Sequence, residues 1–589
     1  MNIDLRANPF FLTEEDCDWV YETIAAMSDE EKVGQLFFQL TSSQKEEDLI
    51  ELIQTYHLGG CRYNPAPARE VWKQNRILQE NSKIPLFIAC NTESGGDGAC
   101  TDGTYIGNGM KIGATGNHDY AEDMGRMGNA EAAAIGCNMA FAPVCDIYYN
   151  PMNTEISTRA FSNDPEMVKK CSVEYVRGAH QNTDFACVAK HFPGNGVDYR
   201  DAHLSNHVND FSPKHWDETY GMVYKELIEN GVEGIMGGHI MLPEYVRELA
   251  PELPEEEVWM PATLNKTLMT TLLREKLGFQ GVVVTDASHM VAMTNQMTRK
   301  EMLPRAINAG CDMFLFFNDP QEDFRTMLTA YQRGVISEGR MTEALTRILG
   351  IKAHLQLHKK SAVEMVPEKD TLDRVLGNEE YKKKQSEISE KSLTLVKYKD
   401  KDVLPISPEK YKKVMIVHIK GHETGMVELL KLCGMEGKNP AETVKEKLCK
   451  RGYDAYVYES PLDQMKQKAL RGEKPDLNIY FAGKNAISEF REQADLVITL
   501  CDVMAGRPSF GMSKGGGEIP WYVFEVPVIA VGCGQPTMLS DIPQVRTYIN
   551  IYDAKENTLE KLIEALSSGA DAFVGKDPID SFCGLQDTK

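Results

Sequence analysis

Residues 281–290 read GVVVTDASHM. Gly281 and three successive valines run into Thr285 and Asp286, so a strand buried on both faces delivers a carboxylate at its C-terminal end. A carboxylate in such a place is costly unless it is hydrogen-bonded or has chemical work. It can act as a nucleophile or hold positive charge; the alternative is an N-cap for the helix that follows. His289 reads as a pocket wall.

Seven similar apolar runs surround this one: Gly34–Leu40, Gly59–Asn64, Pro85–Asn91, Met139–Val144, Phe185–His191, Gly234–His239 and Met313–Asn318. Between many of them lie helical patterns such as Asp119–Ile135 and Asn265–Leu277, the latter stopped by Gly278. Alternating strand and helix through some 300 residues predicts a (β/α)8 barrel rather than an open doubly wound sheet. Asn91, His191, His239 and Asp286 each end a predicted strand, where a barrel carries its chemistry.

Beyond the helical stretch Pro320–His358, the charged segment Lys359–Lys391 reads as a connector. A second βα alternation follows, with strands at Val414–Ile419, Ala455–Tyr458, Leu477–Phe481, Leu496–Cys501, Val526–Gly532 and Tyr548–Ile551, and helices such as Ala441–Arg451 and Leu559–Ser567. The expected organisation is a barrel over residues 1–358, a linker over 359–391 and an open α/β sandwich over 392–589. The Gly-rich stretch Arg507–Glu518, RPSFGMSKGGGE, is not a P-loop, because Lys514 precedes the glycines; it reads as a loop packed at the barrel mouth.

Of the 589 residues, Lys and Arg number 64 against 87 Asp and Glu, a formal charge of −23. That excess repels phosphate, which argues against nucleic-acid and anionic-membrane partners. No apolar run reaches the roughly 18 residues of a membrane span, and the acidic first residues lack the order of a signal peptide. Fourteen cysteines occur without a CxxC pair or a zinc spacing, which reads as mostly reduced, buried thiols in a cytoplasmic protein. The oligomeric state is not legible.

Val188–His203, VAKHFPGNGVDYRDAH, ends a strand in adjacent Lys190 and His191, turns through Pro193, Gly194 and Gly196, and closes on Asp201-Ala202-His203. Lys190 and His191 can donate hydrogen bonds to ligand hydroxyls. Asp201 can fix the tautomer of His203 and raise the basicity of its other nitrogen, which suits proton transfer; a solvated loop is the alternative. Phe141–Phe161, FAPVCDIYYNPMNTEISTRAF, places Asp146 just past a strand and Arg159 in a long loop, either to fork onto hydroxyls or a carboxylate, or as a surface ion pair.

Together these segments resemble glycoside hydrolase family 3, and K-H-F-P-G-x-G-x4-D-x-H is similar to its β-N-acetylglucosaminidase (β-N-acetylhexosaminidase) branch. MSDEEKVGQLFF, PLFIACNTESGG, APVCDIYYNP, HIMLP, MPATLNKTLMTTLLREKLGFQGVVVTD and AINAGCDMFL carry the likeness through the barrel, and SEKSLTLVKYKDKDVLPI and VPVIAVGCGQPTMLSDIP through the second domain. The resemblance implies that Asp286 is the nucleophile of a retaining exo-β-glycosidase and that His203, oriented by Asp201, is the acid/base. It implies sugar binding by Lys190, His191 and Arg159. Asn91 falls where the family has a sugar-binding Asp, with Glu93 able to take part of that role, and His239 where the family has a substrate-facing His or Tyr.

The sequence departs from the branch in three places. Its D-Q-E-G-G-R is Asn91-Thr92-Glu93-Ser94-Gly95-Gly96-Asp97 here, its T-D-D-L is Thr285-Asp286-Ala287-Ser288, and its D-S-H serine is Ala202. The expected partner is a small β-glycoside, with terminal β-linked GlcNAc favoured. A β-glucosidase, a glycoside phosphorylase and a non-catalytic sugar-binding protein are the alternatives. The chemistry requires no metal or organic cofactor.

Overall fold

The computed structural model describes residues 3–41, 45–182, 185–420, 437–459, 461–474, 487–503 and 521–584. By their contacts the residues divide into two units: Met1–Gly109 with His118–Asn150 and Arg159–Lys384, and Gln385–Lys589 with Met110–Asn117 and Pro151–Thr158.

The first unit is a closed barrel. Its strands are β1 (Phe37–Leu40), β2 (Gly60–Arg62), β3 (Phe87–Cys90), β4 (Met139–Ala140), β5 (Ala186–Phe192), β7 (Gly234–Gly237), β9 (Val282–Ala287) and β10 (Met313–Leu315). All eight pair in parallel, and β1 closes the ring by pairing with both β2 and β10. Each lies within, or overruns by a residue, one of the eight apolar runs. Two further short strands, β6 (His207–Val208) and β8 (Ile240–Met241), pair with each other and tie the segment after β5 to the segment after β7.

Packing explains why these strands read as continuous hydrophobic runs. One face fills the barrel and the other meets helices, so no position along β5 is exposed. Phe38, Phe87 and Phe141 fill the interior, with the Phe38 and Phe87 rings 6.3 Å apart and nearly parallel. Gly60 is needed beside them, because a Cβ there would run into the Phe38 ring. The helix Arg299–Ala309 shows how the crossovers are cut to length. It starts with a Thr298–Glu301 capping box and stops at Gly310, whose φ of +129° disfavours a side chain. The segment 359–391 folds largely into helices, Ala362–Met365, Lys369–Val375 and Glu379–Lys391.

The second unit holds a six-stranded sheet of β11 (Thr394–Tyr398), β12 (Lys413–Lys420), β13 (Asp454–Val457), β14 (Leu496–Asp502), β15 (Val528–Gly532) and β16 (Thr547–Asn550). Their order is β11-β16-β15-β14-β12-β13, parallel except for β11. Alternate residues supply two apolar layers: Val414, Ile416, Ile498 and Ile529 on one face, Met415, Val417, Val497 and Ala530 on the other. One element differs from expectation. Thr394–Tyr398 is an edge strand that the sequence reading did not assign, because it is short, bulged and charged at Lys397. The expected strand Leu477–Phe481 and the loop Arg507–Glu518 lie outside the described residues.

Every described cysteine is free, and all but Cys449 and Cys583 are buried. Among the described residues no helix is long and apolar enough to cross a membrane.

Candidate active site

Val282, Val283 and Val284 are fully packed, and Thr285 Oγ1 accepts the Leu315 N–H of the neighbouring strand at 3.0 Å. The next residue, Asp286, therefore emerges at the C-terminal rim with its side chain 17% exposed. Its Oδ1 accepts the Ala287 N–H at 2.7 Å, and its Oδ2 lies 4.0 Å from His191 Nε2. Burial works against ionisation, but the charges of His191 and His239, the Ala287 N–H and Lys190 outweigh it and hold the carboxyl below its ordinary value. A helix cap would be exposed and bonded to the following turn. Asp286 is neither.

Strand β5 delivers Lys190 and His191, both buried, on either side of a cis peptide bond. Lys190 Nζ lies 2.5 Å from Glu93 Oε1. Arg159 donates to the same carboxylate twice, Nε to Oε2 at 2.8 Å and Nη2 to Oε1 at 2.9 Å. Burial pushes the Lys190 ammonium down and Glu93 pushes it back up; burial pushes Glu93 up, and Arg159 and Lys190 drive it well below the usual carboxylate range. The three, one carboxylate between two cations, form one ion-paired cluster drawn from three separate segments of the chain. Asn91, two residues before Glu93, keeps a buried Oδ1 with no hydrogen-bond partner among the described residues. His239 Nδ1 lies 2.8 Å from Thr263 Oγ1 and its Nε2 lies 3.1 Å from the carbonyl of Ala287, directly beside Asp286.

The loop after β5 is built, not slack. Trp216 Nε1 donates to Pro193 O at 2.7 Å, the Tyr220 hydroxyl to Asn195 O at 2.6 Å and Asn209 Nδ2 to Gly194 O at 3.1 Å. Buried Asp198 accepts the Arg200 guanidinium and, at 2.9 Å, the Val208 N–H. Asp201 Oδ1 then accepts from the His203 backbone at 2.8 Å and stands 2.8 Å from His203 Nδ1, which leaves Nε2 as the outward nitrogen of a ring 52% exposed. Burial raises the Asp201 carboxyl, and His203 more than reverses that.

Two backbone bonds clip this dyad to the chain that follows Asp286: Ala292 N–H to Ala202 O at 3.1 Å and Val291 N–H to His203 O at 3.4 Å. Ala202 sits in an apolar pocket with Met290 and Ala292, against Ala287.

The structure thus gathers Asp286, His191, Lys190, Glu93 and Arg159 into one chain of contacts, sets His239 against it, and joins Asp201 and His203 to it through backbone. Sequence reasoning passed over Thr263, Asp198 and the partners of Asp146. Asp146 is fully buried, with Oδ2 2.6 Å from His191 Nδ1. Its place just past the apolar run Met139–Val144 was the available signal. Thr263 and Asp198 carry no motif.

Comparison with known proteins identifies the family. Residues 28–351 match the model of the glycosyl hydrolase family 3 N terminal domain. A β-N-acetylglucosaminidase/β-glucosidase of Cellulomonas fimi is 35% identical over 100% of both chains. Among solved structures, a β-glucoside phosphorylase, BglX, superposes with a TM-score of 0.88 at 33% identity over 99% of each chain. A family 3 β-N-acetylglucosaminidase from Paenibacillus sp. str. FPU-7 gives a TM-score of 0.76 at 24% identity, over 95% of this chain and 100% of its own, a likeness of fold.

Proposed function

The chain belongs to glycosyl hydrolase family 3 and is a glycoside hydrolase, and from that premise we propose a retaining exo-β-glycosidase that acts through Asp286 and the Asp201–His203 dyad. Asp286 attacks the anomeric carbon while His203 gives a proton to the departing oxygen, which forms a glycosyl-enzyme. His203, now neutral, takes a proton from the incoming acceptor and the sugar leaves with its configuration kept. Arg159, Glu93 and Lys190 hold ring hydroxyls as a pre-set group of donors and one acceptor, and His191 and His239 keep Asp286 ionised.

One observation carries the reading: the dyad is bonded by its backbone to residues 291 and 292, just beyond Asp286, so proton donor and carboxylate share one rigid support. Terminal β-linked GlcNAc is the favoured sugar, from the D-x-H loop, and glucose is the rival. The full-length relative is named for both. We place the protein in the cytoplasm, where its buried thiols stay reduced.

Phosphorolysis is the second reading, and a specific feature favours it. A histidine acid/base carries no negative charge in the second step, so a phosphate dianion can approach where a second carboxylate would repel it. The neighbouring structure named as a β-glucoside phosphorylase points the same way. A panel of nitrophenyl β-glycosides, with and without inorganic phosphate and with product analysis, tests both. Fast GlcNAc turnover supports the first sugar, glucose-only turnover replaces it, and a sugar phosphate product establishes phosphorolysis. Inertness toward every glycoside overturns the enzymatic proposal.

A further inference from the structure

Asp146 has no exposed surface at all and still spends its whole carboxylate on the site. Oδ1 accepts the His191 backbone N–H at 3.2 Å and the Asn195 N–H at 2.7 Å, and Oδ2 stands 2.6 Å from His191 Nδ1. An ionised carboxylate can only accept, so the proton between them belongs to Nδ1, and Nε2 is left as the nitrogen turned toward Asp286 at 4.0 Å. The Asn195 bond sits at the start of the loop that ends in Asp201 and His203. Gly194 N–H reaches back to His191 O at 2.7 Å, so strand end and loop start are closed over one buried group.

We propose that Asp146 is the positioning residue of this site: one buried carboxylate that aims His191 at Asp286 and registers the first turn of the loop bearing His203. The proposal rests on the glycosidase reading. It adds that sugar-binding strand and proton-donating loop are set by a common anchor that never touches substrate. Asp198 provides an internal control. It is likewise buried and braces the same loop through Arg200 and Val208, but it makes no bond to His191.

The test compares Asp146→Asn and Asp198→Asn in the full chain, reading kcat and KM across pH, thermal midpoint, and reaction with a fluorosugar inactivator. Asn keeps the size but puts a donor NH2 where only acceptance fits, so the His191 ring loses its aim at Asp286. Asp146→Asn is expected to lower kcat/KM by roughly 10- to 100-fold, the scale of lost orienting partners, and to move the acid limb to higher pH, because Asp286 is less well held ionised. Asp198→Asn is expected to lower the thermal midpoint and leave the acid limb in place. An unmoved acid limb in Asp146→Asn, or equal shifts in both variants, overturns the proposal. If Asp146→Asn does not fold, the unmutated protein still decides: a downfield imidazole N–H proton resonance that disappears in His191→Gln supports the anchored Nδ1, and its absence contradicts it. Slow labelling of Asp286 in Asp146→Asn separates this proposal from the covalent mechanism, which fails only if the unmutated protein does not label there.

Discussion

Arg159 and Glu93 meet as a two-pronged ion pair, with Nε–Oε2 at 2.8 Å and Nη2–Oε1 at 2.9 Å, and Lys190 closes on the same carboxylate. The geometry gives Arg159 a structural duty: it is not free to follow solvent, and Glu93 supplies the negative charge that Asn91, a neutral amide, does not carry. Glu93→Gln is therefore expected to raise KM at least tenfold and to destabilise the barrel by about 1–3 kcal/mol, because the buried Lys190 loses its counter-charge. Kinetics and thermal unfolding of the variant check this. Unchanged KM with a lowered midpoint would mean that the cluster only holds loops together.

The dyad makes a leaving-group prediction. His203→Ala is expected to lose about 10²- to 10⁴-fold in kcat/KM with alkyl glycosides, and far less with dinitrophenyl glycosides that depart without a proton. Asp201→Asn should follow the same pattern more weakly. Equal losses for both substrate classes in His203→Ala would show that the ring positions sugar and does not transfer protons.

Ala202 tests how the clip to residues 291 and 292 is built. Its methyl is 2% exposed and packs with Met290 and Ala292. Ala202→Ser puts a hydroxyl into that apolar pocket at a cost of about 1–2 kcal/mol unless it finds a partner. A lower thermal midpoint with kcat within about threefold is the expected outcome. A gain in stability would show that the pocket is wet.

Lys352 is fully buried in the barrel, with no carboxylate partner among the described residues. Its ammonium donates to Gln35 Oε1 at 2.7 Å and faces the Phe87 ring, and burial brings its pKa down from 10.5 to about 7. The unfolded chain keeps that proton up to about pH 10.5 and the folded chain releases it above about 7, so stability rises with pH through this window and the buried charge is a burden below it. Lys352→Met should flatten the rise, and should gain on the order of 1–3 kcal/mol relative to the unmutated protein at pH 6 compared with pH 9.5. Parallel pH profiles of the thermal midpoint for the two proteins would show that Lys352 is charged in both states.

How much of this was legible in the sequence differs from element to element for a physical reason. Barrel strands such as Ala186–Phe192 are buried on both faces, and a continuous apolar run is then the direct imprint of packing. The same holds for Lys413–Lys420, whose alternate residues feed two apolar layers. Thr394–Tyr398 left no such imprint, since an edge strand bonded on one side tolerates lysine. In the site, residues at strand ends stood out because a polar group after an apolar run is anomalous; Asp286, His191 and His239 share that mark. Partners met only in three dimensions did not. Nothing in the local sequence of Thr263 announces His239, and the union of Glu93 with Arg159 spans a separation in chain that no spacing rule encodes.

The covalent step is the claim on which the rest depends. Incubation with a slow fluorinated glycosyl donor, followed by proteolysis and mass spectrometry, reads it directly. The account predicts time-dependent inactivation with one sugar attached to the peptide carrying Asp286, and none on Asp286→Ala. A sugar carried on any other side chain, or turnover by Asp286→Ala at a rate near that of the unmutated protein, would contradict it.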